Sequence, residues 1–263
     1  MTATVWARGD YPKIATELVG SLGPELVDAC GIEAGQKVLD VAAGTGNAAI
    51  AAAERGAHVV ASDLTPELLA AGRERPEARG VDIDWVEADA QRLPFGDAEF
   101  DVVMSTIGVM FAPNHQACAD ELVRVCKPGG TIGLLSWTPA GTIGGLFRAM
   151  KPHAPAPPAG AQPAPLWGST AHLEELFGDR VEWTTEQTAL LPNDEFETPA
   201  GFVDYFKQLY GPTISVFEYA SQDPERLEAL ERGFLAFAEE ENRGEPGAAR
   251  YELEYLVSVG RRA

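Results

Sequence analysis

The sequence predicts an α/β fold with a doubly wound, mostly parallel sheet, and two patterns indicate it. Between residues 36 and 138, five short apolar runs alternate with longer connecting stretches. Strands joined by such long connections pair in parallel through right-handed crossovers. Because parallel strands are apolar on both sides, helices are expected to cover both faces of the sheet. The chain of 263 residues is long enough to bury a sizeable core around it.

The first two predicted strands each lead into a helix. Residues 37–41 (KVLDV) form an apolar strand that passes through a turn of small residues into an Ala-rich helix at 47–55. A second strand at 57–62 is followed by Thr-Pro-Glu at 65–67. This tripeptide supplies an N-cap, a proline in the first turn and an acidic first turn, so it predicts a helix, which ends near Pro76.

Three further strands complete the regular part of the chain. Residues 81–87 (VDIDWVE) alternate apolar and polar side chains, and residues 100–104 (FDVVM) are apolar. The last of the three, at 131–136 (TIGLLS), follows a predicted tight turn at 127–130 (KPGG). Before that turn, residues 115–126 place four apolar side chains on one face, which predicts an amphipathic helix.

The regular alternation stops after Trp137. Residues 154–165 (APAPPAGAQPAP) can form neither a helix nor a central strand, so they predict an extended surface segment. That segment is either a linker or a loop at the mouth of a pocket. The elements predicted beyond it are a short helix at 170–177, a strand at 181–191, helices near 198–210 and 224–241, and a final strand at 251–259.

The charge of the chain argues against two classes of partner. It holds 40 Asp+Glu against 20 Lys+Arg, a formal net charge of -20, and residues 174–254 carry 20 of the acids with only 6 basic residues. Such a charge repels phosphate backbones and anionic lipids, so neither nucleic acid nor a membrane is expected as a partner. With no apolar stretch approaching about 18 residues and no secretion signal at the start, the protein is expected in the cytoplasm.

The cysteines and histidines do not suggest a metal site. Three cysteines lie far apart without a Cys-x-x-Cys spacing, so we expect them to be small buried apolar residues. The four histidines also lack a metal-binding spacing. No metal is therefore predicted.

The most informative segment is 38–47 (VLDVAAGTGN), where a buried strand runs through a glycine turn into a helix. Such a turn lets a ligand approach the backbone at a helix N-terminus. Asp40, Asp63 and Asp89 stand at or near the ends of the first three strands, so three carboxylates are expected at one crevice. Asp40 beside the turn disfavours a pyrophosphate but tolerates a ligand that carries an ammonium and a sulfonium. A nicotinamide-dependent oxidoreductase remains an alternative only if Asp89 has no role.

Four motifs in order extend this interpretation: 40–46 (DVAAGTG), 88–95 (ADAQRLPF), 100–103 (FDVV) and 122–130 (LVRVCKPGG). With them the chain resembles the class I S-adenosylmethionine-dependent methyltransferases, in particular the small-molecule branch related to the quinone-biosynthesis (type 11) enzymes. The resemblance implies a seven-stranded Rossmann-like sheet with an antiparallel last strand and a helical cap. It also implies a helical cover at 1–35, a cofactor-binding core at 36–138 and a cap or substrate region at 139–263.

The resemblance further implies that S-adenosyl-L-methionine is the cofactor and S-adenosyl-L-homocysteine the product. Gly44 and Gly46 would pack against the methionine portion, and Asp40 would orient its ammonium. Ala42 stands where the family usually has the first glycine of this turn.

At the nucleoside end, the resemblance gives Asp63 the ribose hydroxyls and Leu64 a packing contact with adenine. Asp89 and the backbone of Ala90 would read the adenine edge. Ser105, near the end of the fourth strand, completes the expected cofactor-binding set.

Methyl transfer needs few catalytic groups, because the sulfonium is already an excellent leaving group and the main requirement is close alignment without water. The loop at 105–115 is expected to face the methyl group, and His115 is its titratable candidate. Its alternative role is that of a polar residue in the first turn of the next helix. Tyr11, with Trp6, is a second candidate that either closes the site or only packs on the core.

The acceptor is expected to be a small apolar or aromatic molecule, methylated at O, N or C. The residues that could line its pocket, or form an ordinary core instead, are Trp137, Phe147, Trp167, Phe202, Phe206 and Tyr210. An alternative function is a protein of the same fold that binds the cofactor without methylating, as a binding module or a cyclase. The oligomeric state is left open.

Overall fold

The computed structural model describes residues 3–78 and 80–263. Its centre is a seven-stranded sheet in the order β3-β2-β1-β4-β5-β7-β6. β1 to β5 run in parallel, whereas β7 pairs antiparallel with both β5 and β6. The seven-stranded, mostly parallel sheet with an antiparallel last strand is thereby confirmed. The strands are β1 (Lys37–Val41), β2 (His58–Asp63), β3 (Ile83–Glu87), β4 (Phe100–Thr106), β5 (Cys126–Trp137), β6 (Val181–Phe196) and β7 (Ala249–Arg262).

Eleven α-helices accompany the sheet in the described part of the chain. They are α1 (Ala3–Trp6), α2 (Tyr11–Glu17), α3 (Leu22–Cys30), α4 (Asn47–Glu54), α5 (Pro66–Glu74), α6 (His115–Val125), α7 (Thr142–Met150), α8 (Thr170–Phe177), α9 (Pro199–Leu209), α10 (Gly211–Ala220) and α11 (Pro224–Glu241). Helices α3 to α6 pack against the parallel strands, and α7, α9, α10 and α11 pack on one another beyond them.

Local sequence signals explain the first two βα units and α6. Pro66 occupies the first turn of α5 after Thr65, as its N-cap signal predicts. Asn114 caps α6, where its side-chain oxygen accepts a hydrogen bond from the backbone N–H of Ala117 at 3.1 Å. The buried face of α6 includes Cys118, and all three cysteines are buried and unpaired, which confirms their predicted role as apolar residues.

Three of the four connections between the parallel strands contain an α-helix, whereas residues 88–99, between β3 and β4, contain none. In addition, β5 begins at Cys126 rather than at Thr131. Cys126 pairs with Phe100 and Thr131 pairs with Val102, so the predicted turn at 127–130 is a bulge within the strand pairing.

Two helices were missed for identifiable reasons. Gly144 and Gly145 lower the intrinsic helix propensity of α7, but their bare Cα atoms allow close packing. A Cβ on Gly144 would lie 2.4 Å from the carbonyl oxygen of Pro139, and one on Gly145 would lie 2.5 Å from the ring of Phe237. Helix α10 was missed because a Gly-Pro pair, here at 211–212, usually indicates the end of a regular element. In the structure this pair begins the helix, where proline is favoured.

The segment predicted at 154–165 is largely exposed and without regular structure over 154–163, but its last two residues belong to a short 3-10 helix, Ala164–Gly168, in which Pro165 is buried. One contact joins it to the core, because the backbone N–H of Gln162 donates to the carbonyl oxygen of Pro113 at 3.3 Å. Among residues 3–78 and 80–263, none of the helices combines the length and the apolar character that crossing a lipid bilayer requires.

Candidate functional site

A tight turn of small residues follows β1 at the carboxyl edge of the sheet. Ala42, Gly44 and Gly46 have φ angles of 55°, 58° and 83°. Glycine adopts this left-handed region freely, whereas an alanine there costs about 1 kcal/mol. Gly108, after β4, packs on the turn so closely that a Cβ there would lie 2.1 Å from the carbonyl oxygen of Ala42. The alanine therefore keeps the turn geometry and contacts the loop that follows β4.

Asp40 is buried near the end of β1 with one oxygen unsatisfied. It is 1% exposed, and its Oδ2 accepts a hydrogen bond from the backbone N–H of Ala49 at 3.0 Å. Its Oδ1 has no partner among the described residues. Burial, with a smaller contribution from nearby Asp63, raises the pKa of Asp40 to about 8. A buried carboxyl in this state gains most from a ligand that brings a positive charge or a hydrogen-bond donor.

Asp63, the last residue of β2, holds the glycine turn. Its Oδ2 accepts from the backbone N–H of Gly44 and its Oδ1 from that of Thr65, both at 2.8 Å. Burial raises the pKa of Asp63, and these two donors oppose the shift. Because each carboxylate oxygen can accept two hydrogen bonds, Asp63 keeps capacity for further donors.

Asp89 lies just beyond β3, on the helix-free connection to β4. Its Oδ1 accepts from the backbone N–H of Gln91 at 2.9 Å, and the side-chain Nε2 of Gln91 lies 3.1 Å from Oδ1 and 3.2 Å from Oδ2. Since β1, β2 and β3 are neighbours in the sheet, the carboxylates of Asp40, Asp63 and Asp89 follow one another along its edge.

A cleft of about 650 Å³, partly open to solvent, lies along this edge. Of the predicted cofactor-binding residues, it brings together Ala42, Gly44, Asp63, Leu64, Asp89 and Ala90. The other lining residues come from the N-terminal segment, α5, the β3–β4 connection and the loop after β4. They are Trp6, Tyr11, Thr65, Leu68, Ala88, Gln91, Gly108, Val109, Phe111, Ala112 and Pro113.

A second, smaller cavity is lined by Asp40 and shares Tyr11 with the cleft. Three buried oxygens in its lining have no partner among the described residues: Oδ1 of Asp40, Oγ1 of Thr45 and Oγ1 of Thr106. Buried polar groups are rarely left unsatisfied, so these three oxygens are free to bond to water or to a polar group of a ligand. Gly46 does not line either cavity, and it caps α4 beneath the ring of Trp85.

Tyr11 and Trp6 cover the cleft from the N-terminal segment. Their rings meet edge to face at 5.5 Å, and Trp6 also contacts Phe111 at 4.6 Å and Tyr210 at 5.9 Å. Burial and the charge of Asp63 raise the pKa of Tyr11, so its phenol stays neutral. The two proposed roles of these side chains, closing the site and packing on the core, are therefore combined in one aromatic cluster.

The helices α7, α9, α10 and α11, which pack on one another, form the cap. The N-terminal segment contacts this cap at the junction of α9 and α10. Arg8 forms an ion pair with Glu218 of α10. The backbone N–H of Asp10 donates to the carbonyl oxygen of Leu209 at 3.1 Å, and Gly9 packs so closely there that a Cβ would lie 2.4 Å from the same oxygen. The N-terminal segment that covers the cleft is therefore in direct contact with the cap.

Besides Gly46, two predicted site residues lie outside both cavities. Ser105 is fully buried, where its Oγ donates to the carbonyl oxygen of Val41 at 2.6 Å and accepts from the backbone N–H of Val109 at 3.0 Å. His115 is also fully buried, with its Nδ1 3.0 Å from Nε2 of His172. Burial and that second histidine lower the pKa of His115 to about 4. Neither residue lines the cleft, and His115 occupies the first turn of α6, which was its alternative role.

The aromatic residues expected at an acceptor pocket are mostly core. Trp137, Trp167, Phe202, Phe206 and Tyr210 are all at most 6% exposed, and none lines the cleft. Phe202, Phe206 and Tyr210 follow one another at four-residue intervals along α9 and its C-cap and pack in the core, which was the alternative interpretation. Sequence reasoning missed three residues that do face the two cavities, namely Gln91, Thr106 and Gly108. Thr106 and Gly108 fall within the loop expected to face the ligand, but Gln91 carried no signal beyond its place in a motif.

Comparison with known proteins agrees with this geometry. The family described as a methyltransferase domain matches residues 38–130. A demethylmenaquinone methyltransferase of Thermus thermophilus is 39% identical over 120 residues, which are 44% of this chain and 54% of that protein. The chain therefore contains a methyltransferase domain over residues 38–130.

Other relatives and solved structures are similar to this chain well beyond residues 38–130. Uncharacterized protein Rv1403c of Mycobacterium tuberculosis is 49% identical over 227 residues, covering 86% of this chain and 83% of that protein. A Bacillus halodurans crystal structure assigned as a methyltransferase has a TM-score of 0.63 at 21% identity and covers 92% of this chain and 98% of its own. The [4+2]-cyclase SpnF has a TM-score of 0.59 at 17% identity, over 92% of this chain and 80% of its own. Both structures share the fold.

The residues present suit the cofactor that this family implies. The second cavity offers the carboxyl of Asp40 and two hydroxyls to an amino-acid end with an ammonium and a carboxylate. The cleft offers Asp63 to the hydroxyls of a ribose and Asp89 to the donor edge of a base. A pyrophosphate would instead face a run of three carboxylates, which disfavours a nicotinamide dinucleotide.

Proposed function

We propose that the protein transfers a methyl group from S-adenosyl-L-methionine to a small, apolar or aromatic acceptor at O, N or C. The observation that carries the proposal is the series of carboxylates at the ends of three adjacent strands, which begins beside a cavity with three unsatisfied buried oxygens. That arrangement suits a ligand that is cationic at one end, hydroxylated in the middle and a hydrogen-bond donor at the other.

When bound, the cofactor supplies a methyl group on a sulfonium. The chain's own residues bind, orient and exclude water. Asp40 and Thr106 hold the amino-acid end, Asp63 the ribose and Asp89 the base. Tyr11 lines both cavities and is neutral, so it separates the junction between them from solvent without adding a competing charge. We assign it this covering role rather than that of a base.

The acceptor proposal is supported by the side of the cleft formed by Trp6, Val109, Phe111, Ala112 and Pro113. These side chains favour a flat apolar molecule over a charged one. The demethylmenaquinone methyltransferases match only 44% and 38% of this chain. Quinols therefore belong in an acceptor panel as one class among several, and they are not assigned by the similarity.

Two measurements test the proposal. Calorimetry should detect binding of both S-adenosylmethionine and S-adenosylhomocysteine to the purified protein, and no binding of NAD. Release of S-adenosylhomocysteine should then be followed with a panel of quinols, phenols, amines and apolar carboxylic acids. Failure of either S-adenosyl compound to bind would refute the proposal.

Binding without release on any acceptor class would favour the second candidate, a protein that uses the cofactor site without methylating. The likeness in fold to the cyclase SpnF supports keeping that candidate. The two functions differ in one product, since only methyl transfer generates S-adenosylhomocysteine.

A further inference from the structure

The side-chain amide of Gln91 connects two parts of the cleft. Its Nε2 lies 3.1 Å from Oδ1 and 3.2 Å from Oδ2 of Asp89. Its Oε1 accepts a hydrogen bond from the backbone N–H of Asn114 at 3.2 Å. Asn114 in turn caps α6 with its own side chain. A single half-buried amide therefore links the carboxylate beyond β3 to the start of α6.

The chemistry of its partners fixes the orientation of this amide. A backbone N–H can only donate, so the amide oxygen of Gln91 must face Asn114. An ionised carboxylate can only accept, so the amide nitrogen must face Asp89. The reversed amide would oppose donor to donor on one side and acceptor to acceptor on the other.

The carboxylate of Asp89 is thereby held in one orientation. The backbone N–H and the side-chain amide of Gln91 both donate to Oδ1, and the same amide bridges to Oδ2. With the Oδ1 side occupied, the remaining acceptor capacity is concentrated on Oδ2. Both Asp89 and Gln91 line the cleft, so a ligand base at this end meets a fixed acceptor.

A fixed acceptor discriminates between purines. An exocyclic amino group donates a hydrogen bond to a carboxylate oxygen, whereas an exocyclic oxo group presents lone pairs to it. The discrimination depends on the carboxylate keeping its orientation, because a free carboxylate rotates to relieve the repulsion or to accept from water.

We propose that Gln91 is a positioning residue that holds the Asp89 carboxylate and so sets the selectivity of the cleft for a 6-aminopurine over a 6-oxopurine. The inference rests on the proposed function, because it takes the nucleoside to be the adenosyl group of the cofactor. Gln91 acts through Asp89 and does not itself take part in methyl transfer.

The test compares two nucleosides that differ in the group at position 6 and in the proton that the 6-oxopurine carries on N1. Dissociation constants for S-adenosylhomocysteine and S-inosylhomocysteine are measured by calorimetry on the intact protein, and the ratio of the two is the readout. Gln91→Ala should lower the preference for the adenosyl compound about tenfold, the size of one charge-assisted hydrogen bond. Gln91→Glu keeps the side-chain size but sets a second carboxylate against Asp89, so it should lower the preference at least as far.

Gln116→Ala is the matched control. Gln116 also donates from Nε2 to a carboxylate, Oδ1 of Asp120 at 2.8 Å, but it is exposed and lies outside the cleft. Its removal should leave the selectivity ratio unchanged. Thermal denaturation of each variant identifies losses that come from the fold alone.

The outcomes separate the inference from the proposed function. A ratio that falls in both Gln91 variants but not in Gln116→Ala supports the positioning role. Equal weakening of both nucleosides with an unchanged ratio refutes it and leaves Gln91 as a structural link to α6. A wild-type protein that binds both nucleosides equally also refutes it, although the cofactor site then stands. A wild-type protein that binds neither refutes the proposed function itself.

Discussion

Asp40 should couple cofactor binding to the release of a proton. In the unliganded protein its pKa is raised to about 8, mainly by burial. The ammonium of S-adenosylhomocysteine next to the carboxyl stabilises the ionised form. Binding at neutral pH must therefore remove a proton, and this costs more as the pH falls. The affinity should be high above pH 8 and should decline below it.

The size of the effect follows from that pKa. The apparent dissociation constant scales as one plus the ratio of protonated to ionised Asp40, which is about 100 at pH 6 and about 2 at pH 8. Affinity for S-adenosylhomocysteine should therefore rise about 50-fold between these pH values, equivalent to about 2.3 kcal/mol. At pH 7, about 0.9 proton should be released for each ligand bound.

Calorimetry in buffers with different ionisation enthalpies measures both quantities. Asp40→Asn cannot release the proton, so it should bind more weakly at pH 8 and show almost no pH dependence. Asp101→Asn is the control, since Asp101 bonds to Lys37 and Lys127 outside both cavities and should keep the full slope. A flat profile in the wild type, or the same slope in Asp40→Asn, would refute the reasoning.

Three further predictions test the remaining contacts. Asp63→Ala removes the acceptor for Gly44 and the ribose together and should weaken S-adenosylhomocysteine binding at least about 100-fold by calorimetry; unchanged affinity would contradict the assignment. His115→Ala should lower the free energy of unfolding by about 2 kcal/mol in a urea titration, because it opens a buried site, yet leave that affinity within about twofold; a selective loss of affinity would return His115 to the site. Gly72→Ala should destabilise by about 1–3 kcal/mol, since its Cβ would lie 2.5 Å from the ring of Trp85, whereas Gly233→Ala, with open space around it, should stabilise by up to about 1 kcal/mol. Opposite signs in the two glycine variants are the decisive result, and stabilisation by both would show that helix propensity outweighs packing at Gly72.

The strands and helices that could be predicted from the sequence are those determined by residues close together in the chain. The apolar runs and the proline and acid at 65–67 determine their elements through nearby residues, and they were read correctly. Helix α7 was missed because Gly144 and Gly145 oppose a helix locally, and contacts with Pro139 and Phe237 overcome that tendency. Residues 127–130 were predicted to form a turn because the pairing of Cys126 with Phe100, which places them within β5, is a long-range contact.

The residues of the candidate site likewise divide into those whose position follows from the strand that carries them and those whose position depends on long-range contacts. Asp63 and Asp89 could be placed at the cleft because the ends of parallel strands share one edge of the sheet. The buried contact of His115 could not be predicted, because its partner His172 lies 57 positions away on α8. The link from Gln91 to Asn114 was likewise not visible, since it depends on the route that the helix-free β3–β4 connection takes beside α6.

The site also has an energetic character that no single residue reveals. Asp40, Thr45 and Thr106 each bury an oxygen without a partner, and Asp40 and Asp63 bury carboxyls whose pKa values are raised. Each such group destabilises the unliganded fold, most of all at high pH, where both carboxyls lose their protons. A ligand that supplies donors and a positive charge removes these costs together, so it stabilises the fold through the same contacts that give it affinity. The instability of the empty site is thus the physical basis of its selectivity, because a ligand without the cation or the donors leaves those costs in place.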